Sequence, residues 1–155
     1  MKKTVLVLLS LFVATSAYAQ DVSVDVTSNM LEVERNSGTA TFTGDVKALY
    51  KNVTLTSQSL KIFYDEKSKS KNKIKVIEAK DDVILIQGTD KVTAEKAEYF
   101  VEKNLIVFTK NVVLNRNGNI LKGDHLVMNT ITKQAKMRST GKSRVKAVYF
   151  NNDKN

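Results

Sequence analysis

GDVKALYKNVTLTSQSLKIFY (44–64), DDVILIQGTDKVTAEKAEYFV (81–101) and KNVVLNRNGNILKGDHLVMNT (110–130) are three versions of one pattern. Superposed without a gap, they place Val46, Val83 and Val112 in one column. Further columns hold Ala48, Leu85 and Leu114; Leu55, Val92 and Leu121; and Leu60, Ala97 and Leu126. Small residues coincide at Ser57, Ala94 and Gly123. Within each copy apolar residues alternate with polar ones, and a period of two means a strand with one buried face. Turn formers occupy the middle of each copy: Lys51-Asn52, Gly88-Thr89-Asp90 and Asn117-Gly118-Asn119. Each copy is therefore expected to be a β-hairpin. A chain built by repeating a hairpin is an elongated β structure whose function is spread along a surface.

The flanks extend the same alternation. Val22, Val24 and Val26 start a strand, Thr27-Ser28-Asn29 is expected to turn, and Leu31-x-Val33 restarts it. A turn at Asn36-Ser37-Gly38 leads into Thr39–Thr43, and further strands are expected at Ile74–Ala79 and Leu105–Thr109. Gln134–Arg138, a turn at Thr140-Gly141-Lys142 and Arg144–Phe150 close the chain. Val92–Val101 has some helical periodicity, but Thr93, Tyr99, Phe100 and Val101 favour strand. The sum is an all-β chain of about 14 short strands with turns roughly every 8–12 residues. The run from Asp65 to Lys73 is expected to be an exposed loop inserted between the first and second copies.

The first 19 residues have the form of an export signal. Lys2-Lys3 precede an apolar core from Thr4 to Thr15, and Ala17-Tyr18-Ala19 has the small-x-small form of a cleavage site. The apolar run is shorter than the roughly 20 residues of a membrane span, and an uncleaved anchor is the alternative. The expected organisation is a signal at 1–19, one β domain at 20–150 and a flexible tail at 151–155. The net charge of +9 makes an anionic partner plausible, against the plainer account that lysines keep a β protein soluble and unpaired at its edges. The absence of cysteine leaves packing and strand pairing to hold the fold.

Catalysis finds little support. His125, the single histidine, shares a column with Ser59 and Lys96 on the expected solvent face. Asp81-Asp82 and Asp124 are expected to flank and cap turns, not to bind a cation. Gly118 and Gly123 precede no helix and form no phosphate loop. With no nucleophile, ligand cluster or glycine-rich loop, no enzyme activity, metal or cofactor is expected. Nucleic acid is not an expected partner either, because a single-strand-binding sheet needs exposed aromatics among its cations. Tyr99 and Phe108 fall instead on or beside inward registers. The inward face carries the signal: Val24, Val26, Phe42, Val46, Leu60, Ile62, Val83, Leu85, Tyr99, Val101, Val112, Leu114, Leu126 and Met128 would line one apolar interior. An ordinary dry core would also produce such a stripe. Together with a basic exterior, it would equally suit an amphiphile with acyl chains and an acidic head group.

Gly38-Thr39-Ala40-Thr41-Phe42-Thr43-Gly44-Asp45-Val46 and Phe108-Thr109-Lys110-Asn111-Val112-x-Leu114 resemble a recurring element of the OstA family of lipopolysaccharide-transport proteins. Ile120-Leu121-Lys122-Gly123-Asp124-x-Leu126, Lys133–Met137 and Gly141-Lys142-Ser143-Arg144-Val145 resemble its later strands and closing turn. The resemblance covers nearly all of residues 22–150. It implies a folded-over β-jellyroll of stacked antiparallel hairpins, open at both ends, in the periplasm. It also implies lipopolysaccharide as ligand, with lipid A acyl chains in an apolar groove. The implied partners are an LptC-like inner-membrane protein, an LptD-like outer-membrane protein and further copies of the chain joined head to tail. The family's ligand-contacting positions correspond to Val24, Val26, Leu85, Tyr99 and Val101. Two departures stand out: the C-terminal tail is shorter, and Lys110 replaces a glycine, which costs little only where the turn needs no positive φ. An LptC-like anchored component and a structural β-solenoid without a lipid ligand are the alternatives.

Overall fold

Each repeated copy contributes one antiparallel hairpin, and all of them belong to a single sheet. A computed structural model describes residues 24–65, 67 and 73–150. The expected signal, the tail at 151–155, the start of the first strand and most of the loop at 65–73 lie outside these residues. Among the described residues there are ten strands: β1 Val24–Thr27, β2 Met30–Glu34, β3 Thr39–Tyr50, β4 Val53–Tyr64, β5 Ile74–Gln87, β6 Asp90–Phe100, β7 Leu105–Arg116, β8 Asn119–Asn129, β9 Ala135–Arg138 and β10 Lys146–Val148. The hairpin tips fall where the turn formers stand, at 51–52, 88–89 and 117–118. Residues 92–100 are strand, as their β-branched and aromatic side chains require.

The strand number is lower than the expected 14 or so because three apparent boundaries lie inside strands. Thr39–Thr43, Ile74–Ala79 and Leu105–Thr109 are the opening halves of β3, β5 and β7. Each continues through a two-residue left-handed corner: Gly44-Asp45 (φ 82° and 45°), Asp81-Asp82 (62° and 53°) and Lys110-Asn111 (66° and 51°). Asp81-Asp82 thus form a corner within one strand and do not flank a turn. The pairing register shifts at each corner, between Thr43 and Val46, Lys80 and Val83, and Thr109 and Val112. Two residues oppose one there, the definition of a bulge, and a bulge bends its strand.

The corners stack across the sheet and fold it over into two arms. The edges share the bend. β1 and β2 both pair with β3, on opposite sides of its corner, so Thr27-Ser28-Asn29 bends one line of chain and does not reverse it. The Asn29 amide donates to the Gly44 carbonyl at 3.0 Å, and a Cβ on Gly44 would meet Asn29 Nδ2 at 2.7 Å. At the other end β9 and β10 pair with the two halves of β8. The closing strand is shorter than expected, only Lys146–Val148. Among the described residues the sheet therefore consists of eight bent lines of chain in antiparallel succession, with β1–β2 at one edge and β9–β10 at the other.

Alternation assigns the inner face in rows. One row runs Leu31, Phe42, Leu60, Ala79, Ala97, Phe108, Leu126, Met137 across the first arm. The second arm has its counterpart in Val26, Ala48, Leu55, Leu85, Val92, Leu114, Leu121 and Ala147. Both contribute to one apolar core, with Phe108, Leu60, Leu126 and Val92 essentially inaccessible. Val46, Val83 and Val112 fill the inside of the bend at 1 % exposure each. Opposite them stand Ser57, Ala94 and Gly123, the column of small residues. A side chain on Gly123 would reach Met137 Sδ at 2.8 Å and the Arg138 carbonyl oxygen at 2.9 Å, so the corner leaves no room for bulk.

Asp124 secures the last corner. Its Oδ2 accepts hydrogen bonds from the Thr140 amide at 2.8 Å and the Ser143 hydroxyl at 2.6 Å, so it caps the turn between β9 and β10 as expected, though it lies within β8 and flanks no turn itself. The Ser143 hydroxyl, then the Thr140 amide, hold its carboxyl below the usual carboxylate range. A depressed carboxylate contributes stability above its unfolded pKa, near 4, and loses it as pH falls through the lower folded value. The stability gap between the native protein and Asp124→Asn is expected to exist at neutral pH and to close in acid, as read by denaturant unfolding across pH. Lys110 occupies a left-handed position, so its replacement of glycine is not free. Lys110→Gly is expected to raise stability by about 0.5–1 kcal/mol, the strain relieved less the added freedom of the unfolded chain. Lys47→Gly, at an exposed extended position of β3, should lower it by a similar amount.

Candidate functional site

Between the two arms the inner rows do not fill their space. A cavity of about 530 Å³ lies there, within the ~300–1,000 Å³ range of small-molecule sites. Its floor explains it. In the row through Leu60 and Phe108 the two intervening positions are Ala79 and Ala97, and the facing row has Ala48 beside Leu55. Alanine at these places keeps the sheet's pairing intact and withholds the volume a leucine would supply. Ala97 stands in the repeat column otherwise occupied by Leu60 and Leu126, and that exchange of leucine for alanine was the visible trace of the hollow in the sequence.

The walls come from both arms. Val24, Val26, Val53, Leu55 and Leu85 line it from one, and Ile62, Ile74, Ile77, Tyr99 and Ile106 from the other. All five expected ligand-contacting residues lie together on it: Leu85 buried, Val26, Tyr99 and Val101 half-buried, and Val24 at the rim, 43 % exposed. Alternation did not mark the loop between β8 and β9, yet Thr130, Ile131 and Lys133 complete the lining, with Ile131 69 % exposed. An isoleucine between two threonines in a polar connection was its only sequence sign.

The rim is cationic. Lys51, at the tip of the β3–β4 hairpin, and Lys133, on the opposite arm, are the cations on the lining, which contains no carboxylate among the described residues. Lys51 Nζ sits 5.3 Å from the centre of the Tyr50 ring, itself part of the wall, a cation–π contact that holds the ammonium at the lip. Asn52 and Asn104 lie on the same lining. Towards β8 the inner face of the second arm turns polar at the hairpin tips. There Arg116 Nε and Nη2 donate to Asp90 Oδ2 at 2.9 and 2.7 Å. The open, apolar part of the interior is thus offset towards the N-terminal edge.

The outer face is ordinary by comparison. Glu78 receives Lys80 and Lys96 at 2.8 Å each, and Lys96 also reaches Glu98 at 3.0 Å. Burial alone would push the Glu78 carboxyl up, but the hydrogen bonds from Lys80 and Lys96 outweigh it and hold it below its ordinary value. The same bonds, first from Glu78 and then from Glu98, raise Lys96. His125 lies on the same face, separated from Lys96 by Thr109, with Arg138 Nη2 3.3 Å from its Nδ1. Among the described residues no group of three or more His, Cys, Asp or Glu side chains comes together to hold a metal.

A family model described as LptA/(LptD N-terminal domain) LPS transport protein matches residues 25–134. An uncharacterised protein of Rickettsia prowazekii (strain Madrid E) is 28 % identical over 126 residues, covering 79 % of this chain and 86 % of that protein. An uncharacterised protein of Rhizobium meliloti (strain 1021) is 27 % identical over 128 residues, covering 79 % and 69 %. The crystal structure of LptH, the LptA-homologous periplasmic component of the lipopolysaccharide transport device of Pseudomonas aeruginosa, superposes with a TM-score of 0.73. It shares 19 % identity and covers 84 % of this chain and 96 % of its own, so the folded-over jellyroll is common to both.

A real hollow responds to filling differently from a packed core. Ala97→Leu is expected to leave the thermal midpoint unchanged or raise it, because the added methylenes enter empty space. Val112→Leu, in the closed corner, should cost about 1–3 kcal/mol. Thermal melts of the two variants check this.

Proposed function

We propose that this chain, which belongs to the LptA/LptD N-terminal-domain family of lipopolysaccharide-transport proteins, is a periplasmic, non-enzymatic carrier that shields lipid A acyl chains between its two arms. One observation carries it: an unfilled apolar cavity on which Val24, Val26, Leu85, Tyr99 and Val101 converge. Taking an acyl chain of a dozen methylenes out of water is worth on the order of 10 kcal/mol at roughly 0.8 kcal/mol per methylene. That is enough to hold an amphiphile without a covalent step. The Lys51 and Lys133 ammonium groups at the rim, with no carboxylate on the lining among the described residues, suit a ligand whose head group is anionic.

The open edges support the second half of the reading. β1–β2 and β9–β10 each present an unpaired side among the described residues, and an unpaired edge recruits another strand. On this reading protomers join end to end, and the stack meets an LptC-like protein at the inner membrane and an LptD-like protein at the outer membrane. The export signal at 1–19 delivers the chain to the compartment between them.

A photo-crosslinking amino acid at position 99 should be labelled by lipopolysaccharide, while one at position 96, on the outer face, should not. Equal labelling at both would remove the groove from the account. Leu85→Asp and Val101→Asp should each reduce capture of lipopolysaccharide by tenfold or more, because a carboxylate on an apolar wall must be desolvated when a chain enters. His125→Ala should leave it unchanged.

A further inference from the structure

The exposed large apolar side chains of the described residues fall in two places. Some stand at the terminal edges of the sheet. The others are Leu49, Tyr50 and Ile86 on the second arm and Tyr64 and Ile131 on the first, at the free ends of the arms, away from the corners. The cavity opens between those ends, because Tyr50, Asn52 and Gln87 line it from one side and Val101, Asn104 and Ile131 from the other. Its mouth thus has two lips, and each lip is apolar outside as well as in.

The outer face of the first arm shows the contrast. Near the corners its row of paired residues is polar: Ser59, Lys80, Lys96, Thr109 and His125. At the lip the row is Phe63, Val76, Phe100 and Leu105, all half-buried. Cross-strand packing accounts for the contacts within that row. It does not account for Ile131, which a well-tied loop holds out at 69 % exposure. The Ile131 amide donates to Asn129 Oδ1 at 2.9 Å, and the Thr130 amide donates to the Asn104 carbonyl at 2.9 Å.

Cations accompany the apolar groups. Three lysine–ring contacts occur among the described residues, and all are at the lips: Lys51 over Tyr50, Lys61 over Phe63 at 5.4 Å and Lys103 over Phe100 at 5.7 Å. Lys73, Lys75 and Lys133 are exposed on the same lip as Lys103. Asp65 and Glu102 are the acids there among the described residues. Glu78 and Glu98, one row further in, are engaged by Lys80 and Lys96. Apolar groups and lysine-stacked rings under a surplus of positive charge settle at the boundary between water and an anionic bilayer. A folded partner would have to cover both faces of each lip and still leave the mouth open. A fluid surface yields around both lips at once.

We propose that a free copy of this chain rests on an anionic phospholipid surface by its two lips, with the mouth of the cavity facing the bilayer. This rests on the carrier reading above for what fills the cavity, and adds where a copy outside any stack meets it. An acyl chain then passes from bilayer to cavity without being wetted on the way.

Exported chain, its intact mass showing that residues 1–19 are gone, is floated with vesicles of phosphatidylcholine alone or with about 30 % phosphatidylglycerol, which makes the surface negative. Binding is expected on the anionic vesicles only, and should fall as salt rises from about 0.05 to 0.5 M. Lys75→Glu and Lys103→Glu, both outside the cavity lining, should each weaken it about fivefold or more. Lys122→Glu and Lys142→Glu, exposed towards the C-terminal edge, change the net charge equally but should leave binding within about twofold. The chain has no tryptophan, so Leu49→Trp and Leu105→Trp each place a single reporter on the outer face of a lip. Both should shift to the blue on anionic vesicles, and Gln58→Trp, exposed at the bend, should not. These reporters keep every lysine, so they test the contact even where a charge reversal fails to fold. Equal losses from lip and edge reversals, or an equal shift at position 58, overturn the lips as the contact. Equal flotation on both vesicles, or none on either, overturns the anionic surface as occupant. Each failure leaves the carrier reading standing, because labelling at position 99 needs only the chain and lipopolysaccharide.

Discussion

The stacked left-handed corners are the constraint on which the rest depends. A sheet with one apolar face must cover that face, and this chain covers it with itself. Each long strand is bent where two residues oppose one, and valines at the inside of the bend face a column of small residues. Because the corners fall at the same place in every repeat, the bends add into a single crease. Without them the same alternation would make a flat sheet with a continuous wet apolar side. The cost is local: Asp45, Asp81, Asp82, Lys110 and Asn111 take left-handed backbone conformations without being glycine. L-residues adopt that region at about 1–2 kcal/mol each, and aspartate and asparagine bear it more readily than lysine does.

Much of this was legible in the residues. Turn formers marked all three hairpin tips, and the period of two assigned the inner face, including the five positions that converge on the cavity. Two things were not. The corners resemble turns in a sequence, because aspartate, asparagine and glycine serve both; only the register of the partner strand distinguishes a bend from a reversal. That is why Asp81-Asp82 read as the border of two strands and the strands were overcounted. The hollow was also concealed, since alanine counts as apolar in a pattern while contributing little volume. Ala97 shared a column with Leu60 and Leu126, but a shared column does not report whether space is filled. Lys133 and Ile131 reach the rim from a connection that has no periodicity to read.

An interior left partly empty forgoes the dispersion contacts that close packing would supply. The chain offsets that loss with extensive strand pairing and a corner closed to solvent, and it confines the empty volume to one side of the core. Towards β8 the inner surface is completed by Phe108, Leu114 and Leu126, and the hairpin tips there are tied by Asp90 and Arg116. The hairpin tips are tied at that end, and the vacancy lies towards the other. The cationic rim sets the apolar volume beside positive charge, the arrangement an anionic amphiphile requires on both of its halves.

The even number of bent lines of chain has a consequence for how such a molecule can change size. Adding or deleting a whole hairpin inserts two lines, so both outer strands keep their directions, their inward rows and whatever they bind. Inserting a single line would invert one terminus relative to the other. Length can therefore change in steps of one hairpin while the two outer edges keep their relative direction.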